Sequence, residues 1–123
     1  METTLPGVRA NIVKNFLTGS KSVDEFAAYF TENAFYRFGN APPIIGRKNI
    51  RDSSVKFRQR VKSVAHDIQS MWEMGDVVIC QMDVIYTRHD GQVFTVPCTD
   101  IIRMEGNLFQ DVRIYIDTSI VFA

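Results

Sequence analysis

The sequence predicts an α+β fold, with three N-terminal helices packed on one face of a curved antiparallel sheet. Three observations predict it. Apolar residues recur at helical spacing through the first half of the chain. From Val64 onward they alternate with polar ones. The alternating runs are joined by short turns holding Met74-Gly75, Asp90-Gly91 and Gly106-Asn107. Helices followed by an antiparallel meander bury their apolar stripes against one face of the sheet.

Taken in order, Val8, Ile12, Val13, Phe16 and Leu17 form the first helical stripe, and Gly19 stops it. Ser22 followed by Glu25 is a capping box that opens a second helix carrying Phe26 and Phe30. "AFYRF" (34–38) reads as a short strand ended by "GNAPP". A third helix is expected over Lys48–Val61, with Ile50, Ser54, Phe57 and Val61 on one stripe. Four strands follow, near 64–72, 76–88, 92–104 and 108–117.

Length and composition bound the function. The 123 residues suit one domain, 1–123, with a single core. Fourteen basic and fourteen acidic side chains cancel, so no overall field draws the chain to nucleic acid or a membrane. No apolar run approaches the roughly 20 residues of a membrane span, nothing resembles a signal peptide, and a cytoplasmic protein is expected. Cys80 and Cys98 make neither a disulfide framework nor a metal-ligand set, so no metal or cofactor is expected. The segment 46–62 holds seven of the basic residues against one acid, Asp52. They are spread around the helix and read as a solvated face, with Arg47 and Lys48 placed to attract an anionic molecule.

The stretch "FTVPCTDIIRM" (94–104) carries an acid in the middle of a strand. Val96, Ile101, Ile102 and Met104 belong in a core, and a carboxylate there must be paired, protonated or useful. A two-residue loop at Asp90-Gly91 puts Asp83 opposite Cys98 and Gln81 opposite Asp100, whereas a three-residue loop shifts the pairing by one and reverses one strand's faces. Grouping Ile79, Ile85, Phe94, Val96 and Ile102 on one face favours the two-residue loop. Cys80 then points away from Cys98. The last hairpin reads as a three-residue loop, 105–107, which adds Val112, Ile114 and Ile116 to that face. The first hairpin is open: one choice places Val64, His66, Ile68 and Trp72 there, with His66 near Asp83. The inner face is thus apolar around Gln81, Asp83, Asp100 and, with that choice, His66, with the two aspartates about 7–8 Å apart as diagonal neighbours. Such a concavity suits a small molecule.

On "FTENAFYRFGNAPPIIGRKNI", "WEMGDVVICQMDVIYTRHDG", "VPCTDIIRM" and "RIYIDTSIVFA", nearly the whole chain resembles the NTF2-like superfamily, especially its SnoaL-like polyketide cyclase branch. The resemblance implies a cone-shaped, cystatin-like fold with a pocket at its wide end, and a homodimer through the sheet. In ketosteroid isomerase a protonated oxyanion-hole aspartate occupies a similar strand, and Asp100 in "PCTDIIRM" resembles it. The isomerase's base falls on Phe38, and its first-helix tyrosine near Val13 or Lys14. Of the limonene epoxide hydrolase set, Tyr36 and Asp83 match, whereas Phe38, Gln81 and Ile114 depart.

The expected function is therefore binding of a small apolar molecule bearing a carbonyl or hydroxyl, with cofactor-free acid–base chemistry of isomerase, cyclase or dehydratase type. Asp83, with His66, moves a proton, while Asp100, Gln81 and Tyr36 hold a developing oxyanion. Phe38, Val96, Cys98 and Ile114 line the pocket. The alternative is a non-catalytic ligand-binding or dimerisation module, for which the missing acids at Phe38 and Ile114 speak. Each candidate also has a structural reading: Asp100 hydrogen-bonded to Gln81 or facing solvent, Asp83 in an ion pair, Tyr36 and Cys98 simply core.

Overall fold

A computed structural model describes residues 7–122. Three helices, α1 (Val8–Leu17), α2 (Val23–Ala27) and α3 (Arg47–Arg60), precede or interleave six strands. These are β1 (Phe30–Phe38), β2 (Ile44–Ile45), β3 (Ser63–Met74), β4 (Val77–Thr87), β5 (Val93–Glu105) and β6 (Leu108–Ile116). They form one curved, unclosed sheet in the order β2-β1-β6-β5-β4-β3. β1 lies parallel to β6, with Tyr36 beside Val112 and Phe38 beside Ile114, so the sheet is antiparallel everywhere except this pair.

The helices sit where their stripes demand. Ala10, Val13 and Leu17 of α1 are buried, whereas Val8 is exposed and the stripe begins at Ala10. At the start of α1, Glu73 of β3 reaches across and its Oε1 accepts from the Ala10 N–H at 2.8 Å. The capping box of α2 is formed on both sides, Ser22 Oγ accepting from Glu25 N–H and Glu25 Oε1 from Ser22 N–H. That helix ends at Ala27. Phe30 opens β1 instead of closing α2, and packs fully buried against Phe16, Phe26 and Phe109. α3 buries Ile50 completely and turns Phe57 to Phe38 and Tyr86.

The basic residues of α3 serve the fold. Arg47 Nε donates to the Phe30 carbonyl at 2.8 Å, Arg51 pairs with Asp24 at 2.7 Å, and Arg58 donates to the Lys21 carbonyl. They tie α3 to β1, to α2 and to the α1–α2 connection.

Two registers depart from expectation. The β4–β5 loop has three residues, His89-Asp90-Gly91, closed by the Arg88 N–H on the Gln92 carbonyl. Gly91 takes the left-handed conformation (φ 89°) that ends such a loop. Asp100 therefore faces Cys80, and Asp83 faces Pro97. This shift reverses β4: Val78, Cys80, Met82, Val84 and Tyr86 point inward and are buried, whereas Ile79, Gln81, Asp83 and Ile85 point outward. Cys80 and Cys98 share the inner face as free thiols, contrary to the expected opposite faces. In β3 an irregularity between Ile68 and Ser70 changes the alternation, so Val64, His66, Ile68 and Met71 face inward and Trp72 pairs with the outward Ile79. The β5–β6 loop is two residues, Gly106-Asn107, rather than three. A bulge near Gln110 restores the expected face for Val112, Ile114 and Ile116.

Candidate functional site

β5 presents Val96, Cys98, Asp100, Ile102 and Met104 inward by simple alternation, and all five are buried. Asp100 is only 3% exposed. On its rung of the sheet stand Phe38 of β1, Ile114 of β6, Cys80 of β4 and Met71 of β3. Every one of these neighbours is apolar or a thiol. The Cys98 thiol donates weakly to Asp100 Oδ1 at 3.4 Å. No ion pair among the described residues includes Asp100.

Without a cation or strong donors, burial dominates. It pushes the Asp100 carboxyl from 3.8 up to about 7, against a small lowering from the Cys98 thiol. The cluster around it shares this environment. Burial, reinforced by the Asp100 charge, raises the Cys80 thiol to about 12 and lifts Tyr36 and Cys98 above their ordinary range. Tyr86 is raised by burial, then by Cys98 and Asp100. The site is thus a carboxyl that changes charge near neutral pH, with two thiols and the Tyr36 phenol, all keeping their protons, on its own and adjacent rungs, and the Tyr86 phenol farther along the inner face of β4. Phenols and a protonated carboxyl are hydrogen-bond donors suited to an oxygen that gains negative charge.

The sequence-derived candidates divide between two faces. Asp100, Cys98, Val96, Tyr36, Phe38 and Ile114 come together on the inner face. Asp83 and Gln81 do not: the one-residue shift carries them to the outer face, where Asp83 Oδ2 accepts from Gln69 Nε2 at 2.8 Å. Asp100 therefore has neither Gln81 as a partner nor solvent at its carboxyl. His66 does face inward, beside Val84 rather than Asp83. Its place is two strands over and four residues along from Asp100, about 10 Å by about 13 Å from sheet spacings. Its Nδ1 lies 2.9 Å from the Leu17 carbonyl oxygen. A carbonyl only accepts, so Nδ1 carries the proton and Nε2 keeps its lone pair. Burial holds this imidazole below its ordinary pKa despite that bond.

Tyr86 and Cys80 are the members that reading the sequence with a two-residue loop misses. The Asp90-Gly91 turn read as a three-residue loop yields both. Cavities border the cone. One of about 390 Å³ is lined by Arg60, Arg88, His89, Asp90, Val121 and Phe122. A smaller one of about 130 Å³ lies by Arg37, Arg113, Ile114 and Tyr115. Asp100 lines neither.

A curved sheet wrapped on three helices, with a lone acid inside, defines an α+β cone of the NTF2-like class. The SnoaL-like domain family matches residues 15–112, and the chain belongs to that family. No curated protein matches it in sequence. Among solved structures, a putative SnoaL-like polyketide cyclase from Jannaschia sp. CCS1 superposes with a TM-score of 0.81 at 12% identity, covering 94% of this chain and 89% of that one. An epoxide hydrolase of the LEH-like type from M. tuberculosis gives 0.79 at 14% identity, with 94% and 86% covered. A protein of ketosteroid isomerase-like fold from Catenulispora acidiphila, in complex with trimethylamine, gives 0.76 at 16% identity, with 91% and 86% covered. At such identities the likeness establishes the fold. Among the described residues, no helix is long and apolar enough to cross a membrane.

Proposed function

We propose that the protein binds a small, largely apolar molecule through a carbonyl or hydroxyl oxygen held at Asp100, with cofactor-free acid–base chemistry at that oxygen. The observation that carries this reading is a fully buried aspartate with no cation beside it, on a rung of apolar side chains. Such a group costs stability when ionised. As a neutral acid it donates a hydrogen bond, and Tyr36, raised partly by the same carboxyl, is the second donor toward the oxygen. Phe38, Ile114, Val96 and Cys98 supply the apolar wall. His66, with its unprotonated Nε2, faces the same interior but two strands over and four residues along, so it acts as a base only on a ligand long enough to span that distance. Asp83 and Gln81 have no part in the proposal, because they stand outside the cone. Relatives that include a putative polyketide cyclase, an epoxide hydrolase and a protein holding trimethylamine support a small-molecule partner.

The test is carbon-13 NMR of the aspartate carboxyls and tyrosine rings, with Asp100→Asn and Tyr36→Phe for assignment, against a panel of aromatic ketones and phenols. Binding at this site shifts Asp100 and Tyr36 and is weakened in both variants. A panel that leaves both resonances unmoved at millimolar concentration removes the reading.

A second reading rests on the other face of the sheet. Val93, Ile101 and Tyr115 are exposed there, Tyr115 to 55%. That apolar band suits a second copy of the chain, and a homodimer follows. Analytical ultracentrifugation is expected to give twice the 14.1 kDa chain mass and to give a monomer for Tyr115→Glu. A monomeric wild type refutes it.

A further inference from the structure

The stretch after β6 has no strand or helix, yet it is not loose on the surface. Asp117 Oδ1 accepts from the Ser119 N–H at 3.0 Å, and the Val121 and Phe122 N–H groups both reach the Thr118 carbonyl. These bonds fold residues 117–122 into a turn that satisfies itself. Two side chains leave the turn inward. Val121 is fully buried. Phe122 lies against Phe57 at 6.0 Å and Tyr86 at 6.2 Å. From the body of the cone, Arg88 Nη1 donates to the Val121 carbonyl at 3.2 Å, and the Arg60 guanidinium lies 4.0 Å over the Phe122 ring. Among the described residues, and apart from the Ser119–Asp117 bond of the turn itself, Arg88 to Val121 is the one hydrogen bond that ties residues 118–122 to the rest of the fold. A segment held by two apolar side chains, a stacked cation and a single hydrogen bond opens far more often than the sheet beneath it.

What lies beneath is the candidate site. Phe122 packs on Phe57, which in turn packs at 5.7 Å on Phe38 of the Asp100 rung, and its other neighbour Tyr86 is on the inner face of β4. The cavity of about 390 Å³ is lined by Arg60, Arg88, Val121 and Phe122, and so opens beside the same turn. We propose that residues 118–122 are a plug in the mouth of the cone, and that a ligand reaches the interior by replacing it. This proposal rests on the ligand-site reading above and narrows the ligand. Once the plug leaves, Arg60 has lost an aromatic ring and Arg88 an acceptor oxygen. Arg88 keeps its ion pair with Asp90 and frees only Nη1, so the molecule best held in the plug's place is aromatic and carries an oxygen acceptor near one end.

The thiols at the base of the site report the opening without any ligand. Cys98 and Cys80 are buried and free, and they react with dithiobis-nitrobenzoate only when the core is reached. Labelling of the wild-type chain is followed across a urea series below the unfolding transition. If the plug opens locally, the rate is nearly flat in urea, because little surface is exposed. Phe122→Ala then labels faster by about tenfold or more, the scale of a truncated aromatic contact. A rate that climbs from zero urea with the slope of global unfolding overturns the plug. An unchanged rate in a folded Phe122→Ala also overturns it. Should that variant fail to fold, the wild-type series decides alone. The two readings fail separately: a flat series with no ligand shift at Asp100 leaves a gate without the proposed ligand. A steep series with a ligand shift leaves the site and removes the plug.

Discussion

Replacing Asp100 by Asn removes one titrating group while keeping its shape and the oxygen that accepts from Cys98. The expected effect is on how stability depends on pH. Asp100 is raised in the folded state, from 3.8 to about 7. Between these values the native protein holds a proton that the unfolded chain has released, so stability falls as pH rises. One proton corresponds to about 1.4 kcal/mol per pH unit. Over the roughly three units between the two pKa values the loss sums to about 4 kcal/mol. It begins above pH 4 and is complete once pH passes the folded value. His66, held below its ordinary value, titrates inside this window with the opposite sign, whereas Glu25, Asp90 and Asp117 are lowered and titrate at or below its acid end. They are common to both proteins and cancel in the difference. Urea unfolding of wild type and Asp100→Asn from pH 4 to pH 8 reads that difference. With a urea slope of about 1–3 kcal/mol per molar for a chain of this size, the wild-type midpoint falls relative to the variant by on the order of 2 M. Parallel curves would mean that Asp100 ionises freely, and the argument from a buried, unpaired carboxyl would fail.

Other perturbations probe separate parts of the same scheme. His66 is held below its ordinary pKa, so wild type loses stability as pH falls below the unfolded imidazole value, and His66→Gln reduces that loss in acid unfolding curves. Ser22→Ala removes one half of the α2 capping box and lowers stability by about 1 kcal/mol in thermal melts. Gly39 ends β1 at φ 57°, where an added methyl would sit 3.2 Å from the Ile116 carbonyl oxygen, and Gly39→Ala costs about 1–2 kcal/mol in urea unfolding. Ile50 is fully buried under α3, so Ile50→Ala costs about 2–5 kcal/mol by the same assay. A loss below 1 kcal/mol would mean that α3 is not fixed on the sheet as described.

Much of this fold could be read from the chain, and the parts that could not have a common cause. Helix stripes, the Ser22–Glu25 box and the strand spans depend on nearby residues alone, and they came out within a few positions. Phe30 is the exception: its spacing from Phe26 suits a helix, but β1 needs it beside Phe109 at the edge of β6. β5 was also legible, because alternation along one strand places Val96, Cys98, Asp100 and Ile102 together whatever the neighbours do.

Which residues face Asp100 from the next strand is a different kind of question. It hangs on whether one turn takes two residues or three, and a one-residue slip exchanges a whole strand's faces. Apolarity normally settles such a choice, since one face is greasy and the other wet. On β4 it does not, because Ile79 and Ile85 face outward while Val78, Met82 and Val84 face inward. The same outward residues, with Ile101 and Trp72 beside them, make that side of the sheet apolar enough to look like a core. The feature that blurs the register is thus the feature that suits the outer face to a second copy of the chain. Gly91 carries the deciding signal: a left-handed glycine as the third loop residue, after His89 and Asp90, fits the longer loop. Choosing that loop removes Asp83 from the site and brings in Cys80 and Tyr86. Two neighbouring aspartates, one of them moving a proton with His66, become a single acid among groups that stay neutral, and the chemistry open to it shifts from proton shuttling toward holding an oxygen.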